Sequence, residues 1–275
     1  MQEPLFGGLE PAKDKPLPQR SRLRILITVK AAPTPSARSG ETVCVAGLAL
    51  DHLSSHWVRL YPINFRYLEQ DVKFKKYDIV EVEATPAGND GRRESWKPDM
   101  QTLVVTKHLD PWKGRRTLLD PVVEDSMCAL NKANQSGATG PSLALVRPRI
   151  VRGLVISKHP GWSHEDQVKI DAYVNQLELF DAPDKTPLEA PRLQGHYEWL
   201  CHDSQCKGHR QSIIDWEFVA LQRRSPKLTD DALGAQLRAK FLTMMCRGDR
   251  HVAFFVGNQA KRHHVFHVLG VYYPT

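Results

Sequence analysis

Three side chains suited to a soft metal ion, Cys201, Cys206 and His209, fall within nine residues, in the run Cys-His-Asp-Ser-Gln-Cys-Lys-Gly-His. Thiolates and a neutral imidazole held close together are the donors a tetrahedral zinc ion takes. Such an ion can staple a small domain, because its binding free energy becomes folding free energy. The Cys-x4-Cys-x2-His spacing supplies three ligands and leaves the fourth open among His196, His202, Cys246, His251, His263 and His264. Four protein ligands would make the site structural, whereas three plus a water would open hydrolytic chemistry. The plainer alternative is a pair of buried thiols beside a surface histidine.

Immediately downstream, Asp215 and Glu217, with Lys261 further along, offer the carboxylates and base of a metal-dependent nuclease. Against this, positions two apart on a helix do not share a face, so one of the pair is expected to satisfy helix-start N–H groups instead. Gly257-Asn258 reads first as a hairpin turn. A different chemistry is carried by Gln176-Leu177-Glu178-Leu179-Phe180. It resembles the linear motif by which bacterial repair and replication proteins dock on the sliding clamp, with Gln176, Leu177, Leu179 and Phe180 as anchors. The same residues could instead finish the preceding helix against the core.

The elements that would position these groups are mostly short strands. Leu23–Val29, Val43–Leu50, His56–Leu60, Ile79–Glu83, residues 102–106 and Arg149–Ser157 are β-branched or aromatic runs punctuated by Gly, Pro, Ser and Asp. Helices are expected over 118–131, from Ser163 to Asn175, over 213–223, and after Thr229, where Leu233, Leu237, Phe241 and Met244 form one stripe. A hairpin closes the chain over His251–Val256 and His264–Tyr273. The pattern is mainly β with additional helices (α+β), arranged as two small barrels. A Pro-rich arm over 1–20 is expected to be disordered, with a first domain over 21–145 and a second over 146–275.

With 275 residues, 38 Lys and Arg against 31 Asp and Glu, and a formal charge of +7, the chain has room for two cores and favours polyanionic partners. Five unevenly spaced cysteines do not form the framework of a secreted domain, which points to a reducing cytoplasm. No run of apolar residues is long enough to span a membrane, so no membrane partner is expected.

Several strings carry a resemblance: Thr42-Val43-Cys44-Val45-Ala46-Gly47, Trp57-Val58-Arg59-Leu60-Tyr61-Pro62, Lys73-Phe74-Lys75-Lys76-Tyr77 and Arg93-Glu94-Ser95-Trp96-Lys97-Pro98-Asp99. They continue with Cys206-Lys207-Gly208-His209, Ile214-Asp215-Trp216-Glu217, Phe254-Phe255-Val256-Gly257-Asn258 and Leu269-Gly270-Val271-Tyr272-Tyr273-Pro274. Over about residues 22–274 the chain resembles the bacterial dual OB-fold domain proteins. The resemblance implies two OB-like β-barrels and a role in nucleic-acid transactions, in defence against mobile elements or in DNA repair. It implies no reaction.

The residues of the first half fit that implication. Arg59, Arg66, Lys73, Lys75 and Lys76 interleave with Tyr61, Phe65, Tyr67, Phe74 and Tyr77, and Arg92, Arg93, Trp96 and Lys97 follow. An OB groove binds single-stranded DNA or RNA by pairing cations with phosphates and stacking bases on rings, about 1–3 kcal/mol per stack. The expectation is a binding protein rather than an enzyme, with these cations and rings lining one trough in the first barrel.

Overall fold

A computed structural model describes residues 19–51, 57–65, 68, 73–88, 90–135, 140–175 and 186–275. The arm expected over 1–20 therefore lies outside the described residues except at its end, where Arg20 pairs with Glu83 and, at 2.6 Å, with Asp99.

The first unit is built from β1 (Ser21–Lys30), β2 (Thr34–Ser36), β3 (Gly40–Ala49), β4 (Trp57–Ile63), β5 (Asp78–Pro86), β6 (Ser95–Pro98) and β7 (Val104–His108). Five of these close a barrel in the order β1-β3-β4-β6-β5-β1. The β4–β6 pair is parallel and the other pairs are antiparallel. This is an OB-like closure, which removes sheet edges. Alternation puts Leu23, Ile25 and Ile27 of β1, Val43 and Val45 of β3, Val58 and Leu60 of β4, and Val80 and Val82 of β5 inside it.

After α1 (Lys113–Leu119), the second unit follows through β8 (Val123–Glu124), α2 (Met127–Ala133), β9 (Leu143–Val146), β10 (Ile150–Lys158), α3 (His164–Val174), β11 (Leu193–Leu200) and β12 (His209–Ser212). It ends with α4 (Trp216–Arg223), α5 (Asp230–Arg238), β13 (Ala253–Asn258) and β14 (Phe266–Tyr272). Its first barrel strand is broken: β9 pairs with β13, β10 pairs with β11, and Arg147-Pro148-Arg149 lies between them. Proline cannot donate to a ladder, so the interruption is written in the sequence. The circuit runs β10-β11-β12, then through Ile213 bridged in parallel to Val268, and back by β14-β13-β9. The strand order matches that of the first barrel, with α4 and α5 inserted between the third and fourth staves.

Four sequence expectations are corrected. The boundary expected between residues 145 and 146 falls inside the sheet of the second unit, which begins by residue 123 because β8 pairs with β9 and β9 with β13. The helix expected over 118–131 is two short helices, separated by a 3-10 turn at Asp120–Val122 and extended residues at 123–124. The helix expected from 213 starts at Trp216, because Asp215 caps it and Ile213 closes the barrel. In the last helical stripe Met244 is 41 % exposed and Met245 takes the buried place. A π turn over Ala239–Met244 inserts the extra residue. Among the described residues no helix is long and apolar enough to cross a membrane.

The barrels meet face to face. Leu26, Ala46, Leu48 and Trp57 point out of the first barrel and pack on Leu143, Leu145, Ala253, Phe255 and Leu269 of the second. Burial contributes about 1.5–3 kcal/mol for each large side chain. Polar struts cross the same seam. The Ser142 N–H and hydroxyl donate to the two oxygens of buried Glu94 at 2.7 and 2.8 Å. Arg59 Nη2 donates to the Ser142 carbonyl at 3.1 Å and to its hydroxyl oxygen at 3.2 Å. Lys76 Nζ donates to Asp215 at 2.9 Å. Gly40, at φ +69°, leaves room for Tyr173 of α3, whose ring atom would stand 2.6 Å from an added Cβ.

Removing one member of a buried polar cluster strands the others, so Arg59→Ala and Glu94→Ala should each destabilise the protein by about 3–5 kcal/mol in denaturant unfolding. A loss below about 1 kcal/mol would show the strut to be dispensable. A second strut titrates. Burial pushes the Asp90 carboxyl up, but hydrogen bonds from Arg92 and Ser95 outweigh it and hold the group down at about 2. Arg92 in turn donates to the Asn258 carbonyl at 2.9 Å. A depressed carboxyl stabilises fully above its unfolded value, about 3.8, and the contribution is lost as pH falls through about 2. Asp90→Asn should therefore flatten the acid limb of the stability profile in that window, and a profile superimposable on the parent's would refute the link.

Candidate metal centre and nucleic-acid surface

The sharpest constellation joins three segments. Cys128 stands in the first turn of α2, which Ser126 caps by accepting the Ala129 N–H at 3.0 Å. Cys201 follows β11, Cys206 lies in the turn beyond it, and His209 opens β12. Gly208, at φ +112°, takes a backbone shape that side chains rarely adopt and so lets the turn close. His209 Nε2 lies 3.3 Å from Cys206 Sγ, 3.4 Å from Cys201 Sγ and 3.7 Å from Cys128 Sγ. The Cys128 and Cys201 sulfurs are also 3.7 Å apart. All four donor atoms fall within 4.8 Å of one another, a cage that could hold a metal ion.

The fourth member of the cage is thus Cys128, and it was not among the residues expected. His196 is on the outer face of β11 with its Nδ1 buried and unpartnered, and His202 is exposed. Cys246 donates to the Phe241 carbonyl at 3.5 Å, His251 is exposed at the mouth of β13, and His263 and His264 lie in the β13–β14 loop. Cys128 is 73 residues upstream of Cys201, beyond any local spacing motif. Its one sequence signal is a thiol on the exposed turn of a short capped helix.

The electrostatics of the cage are unequal. Burial raises the Cys201 thiol, but the hydrogen bond with His209 and further donors outweigh it and bring it to about 6. Cys128 is pushed up to about 12 by burial and by its thiol neighbours Cys201 and Cys206. Three thiolates in one cage repel one another, and a cation at its centre removes that conflict.

Among the described residues, the cations and rings expected to line one trough in the first barrel are not gathered there. Phe65, Phe74 and Tyr77 are interior or interface rings, because β4 and β5 need them to fill the barrel and its seam. Arg59 is 4 % exposed, and Lys76 and Arg92 are turned toward the second barrel. All three act as struts, since a buried cation needs a fixed polar partner. Trp96 is half-buried against the barrel interior from β6. Tyr61, Lys75, Arg93 and Lys97 are exposed and Lys73 is half-buried. Arg66 and the motif Gln176, Leu177, Leu179 and Phe180 lie outside the described residues.

The carboxylates expected to serve a nuclease are also engaged. Asp215 caps α4, accepting the Glu217 N–H at 2.9 Å. As a cap it lies outside the helix, so the two carboxylates converge on Lys76 rather than diverging: Nζ is 2.9 Å from Asp215 and 3.8 Å from Glu217. Lys240 adds a second cation 3.3 Å from Glu217. Burial pushes the Lys76 ammonium down, and the two acids more than restore it, raising it above its usual value. Lys261 is exposed in the β13–β14 loop, apart from this group.

In the second barrel the outer face of β10, β11 and β12 is open. Val155, His196 and Ser212 are in register across it, with Glu198 opposite Arg210 and Arg152 at a bulge in β10. Above it runs the loop Gln259-Ala260-Lys261-Arg262-His263-His264-Val265, with Lys261, Arg262 and His264 exposed. This loop is pinned. Asn258 Nδ2 donates to the His263 carbonyl at 2.9 Å, and Arg262 Nε donates to Gln259 Oε1 at 3.0 Å. That contact fixes the Gln259 amide, whose Nε2 then donates to His267 Nε2 at 2.7 Å. His267 Nδ1 must carry the proton and donate to the Ser212 hydroxyl. Burial, aided by Arg262 and His196, lowers the His267 pKa.

Fold and cage together define a protein of two OB-like barrels with a three-cysteine, one-histidine centre tying the second barrel to the segment before it. The chain belongs to the domain-of-unknown-function family DUF8757, whose model matches residues 123–275, and residues 21–121 match a second such domain, DUF8758. No curated protein and no solved structure matches the chain. The break between the two family domains coincides with the boundary set by β8 and β9.

If the cage holds an ion, a chelator should lower the unfolding temperature, and Cys128→Ser should do the same without chelator. The expected loss is several kcal/mol, roughly 10 °C for a chain of this size. An unfolding temperature indifferent to both treatments would dismiss the centre.

Proposed function

We propose that the protein binds single-stranded nucleic acid on the open face of its second barrel, beneath the loop 259–265, with zinc in the cysteine–histidine cage as a structural staple. The observation that carries the reading is a contrast between the barrels. OB-folds take oligonucleotides on the face of their second and third strands and on the loops beside it. In the first barrel the corresponding strands, β3 and β4, are covered by the second barrel at Ala46, Leu48, Trp57 and Arg59, leaving Tyr61 exposed at the end of β4. In the second they are β11 and β12, whose outer face is open and topped by a basic loop. Arg152, Arg210, Lys261 and Arg262 supply cations there, and Glu198, 3.6 Å from Arg210, is the nearby acid.

The rings on this face are imidazoles, those of His196 and His267, rather than tryptophans or tyrosines. Binding on such a surface draws more on phosphate contacts than on base stacking, and its sequence preference should be weak. For zinc, the support is metrical. A tetrahedral ion with Zn–S of about 2.3 Å sets sulfurs about 3.8 Å apart, and the Cys128–Cys201 separation is 3.7 Å. Four protein ligands leave no open position for water, so the ion serves the fold and not hydrolysis.

Binding to an oligothymidylate should weaken steeply with salt, with a slope of about −0.7 per phosphate contact in the log–log plot. Lys261→Ala with Arg262→Ala should reduce that slope by about 1.4 and the affinity by roughly tenfold or more. Arg59→Ala, a strut variant, should leave the affinity of the folded protein unchanged. Binding insensitive to salt or to the loop substitutions would remove the proposal, and elemental analysis showing no zinc would remove its second part.

A further inference from the structure

The broken first strand of the second barrel creates a recess that neither the strand-binding face nor the metal centre uses. At Arg147-Pro148-Arg149 the backbone leaves β9 and runs beside the loop that precedes β13 and the end of α1. Together these segments enclose a cavity of about 530 Å³. Sites for small ligands span about 300–1,000 Å³. Arg116, Arg147, Arg149, Arg247, Arg250 and His251 line it, and Asp120 is the one acidic residue on its wall.

The cations are incompletely neutralised. Arg247 pairs with Asp249 at 2.6 Å, Arg116 with Asp120 at 3.0 Å, and Arg147 approaches Asp125 only to 3.9 Å. Asp120 is further occupied by the Tyr272 hydroxyl, which donates to it at 2.7 Å. Arg149 has no acidic partner among the described residues. Arg250 likewise pairs with no acid among the described residues; its guanidinium stands 6.0 Å over the Tyr273 ring.

We infer that this recess binds a phosphate monoester group. A monoester carries about −1.5 to −2 charge at neutral pH and three terminal oxygens. Guanidinium forks match such oxygens in pairs, which a point charge cannot do. Arginines reaching in from three separate segments suit a group with acceptors on several sides better than a diester with two. The group could belong to a free mononucleotide or to the phosphorylated end of a strand, and these sources are separable by experiment.

Thermal shifts of the full chain would be measured with inorganic phosphate and with dTMP at fixed ionic strength. Anisotropy would be measured with 5′-phosphorylated and 5′-hydroxyl oligothymidylates. The test variant is Arg149→Ala with Arg247→Ala, both exposed and therefore tolerated by the fold. A rise in unfolding temperature with phosphate or dTMP that the variant loses identifies a free monoester. A preference of about tenfold for the 5′-phosphorylated strand that the variant loses identifies a strand end. No response to any probe, or the same response in the variant, overturns the inference. Lys261→Ala with Arg262→Ala should keep the phosphate response while losing strand binding, so failure of one reading does not mimic failure of the other.

Discussion

Strands β1, β3 and β4 carry apolar side chains on both faces. One face fills the first barrel, and the other, through Leu26, Ala46, Leu48 and Trp57, has to be kept from water by something else. The second barrel does this with Leu143, Leu145, Ala253 and Phe255, which are likewise the outward residues of strands whose inward residues fill their own barrel. Much else follows from that shared wall. Cations that cross it must be fixed by polar partners, which is why Arg59, Lys76 and Arg92 are held by Ser142, Asp215 and Asn258. The face an OB barrel would ordinarily present to a ligand is spent on the seam in one unit and left free in the other.

That division also positions the free face. Asp90 orients Arg92, Arg92 grips the end of β13, and Asn258 at that end holds the loop bearing Lys261 and Arg262. The first barrel thereby acts on the basic loop from a distance, through two hydrogen-bonded steps. The loop is a braced platform whose residues have little conformational freedom left to lose.

Strand content and the two-barrel arrangement were legible because β1, β3 and β10 are β-branched runs between turn residues and β5 alternates apolar with charged residues, whereas β11, broken by Gly195 and polar side chains, was not among the strands expected. The cysteine–histidine turn was legible because its three ligands are neighbours in sequence. Cys128 was not, since no spacing rule connects a thiol on α2 to one 73 residues later; the pairing of β8 with β9, and of β9 with β13, brings it there. The cations of residues 59–97 misled for a related reason. Interleaving of Arg, Lys and aromatics reads as a binding groove when one face of a sheet is assumed free, and a strand buried on both sides breaks that assumption. The arginines of the recess were invisible as a group, being drawn from positions 116, 147, 149, 247 and 250.

The segment from β8 to β9 has a bearing on how the molecule can be dissected. It supplies the cage with a sulfur and the barrel with half of its opening stave, although in the chain it comes before the run of strands it completes. A fragment begun at residue 146 would lack both, and the excised remainder would carry a stray thiol and a ribbon with no sheet to join. A cut near residue 122 leaves each piece with its own parts, yet exposes two greasy walls that had only each other for cover.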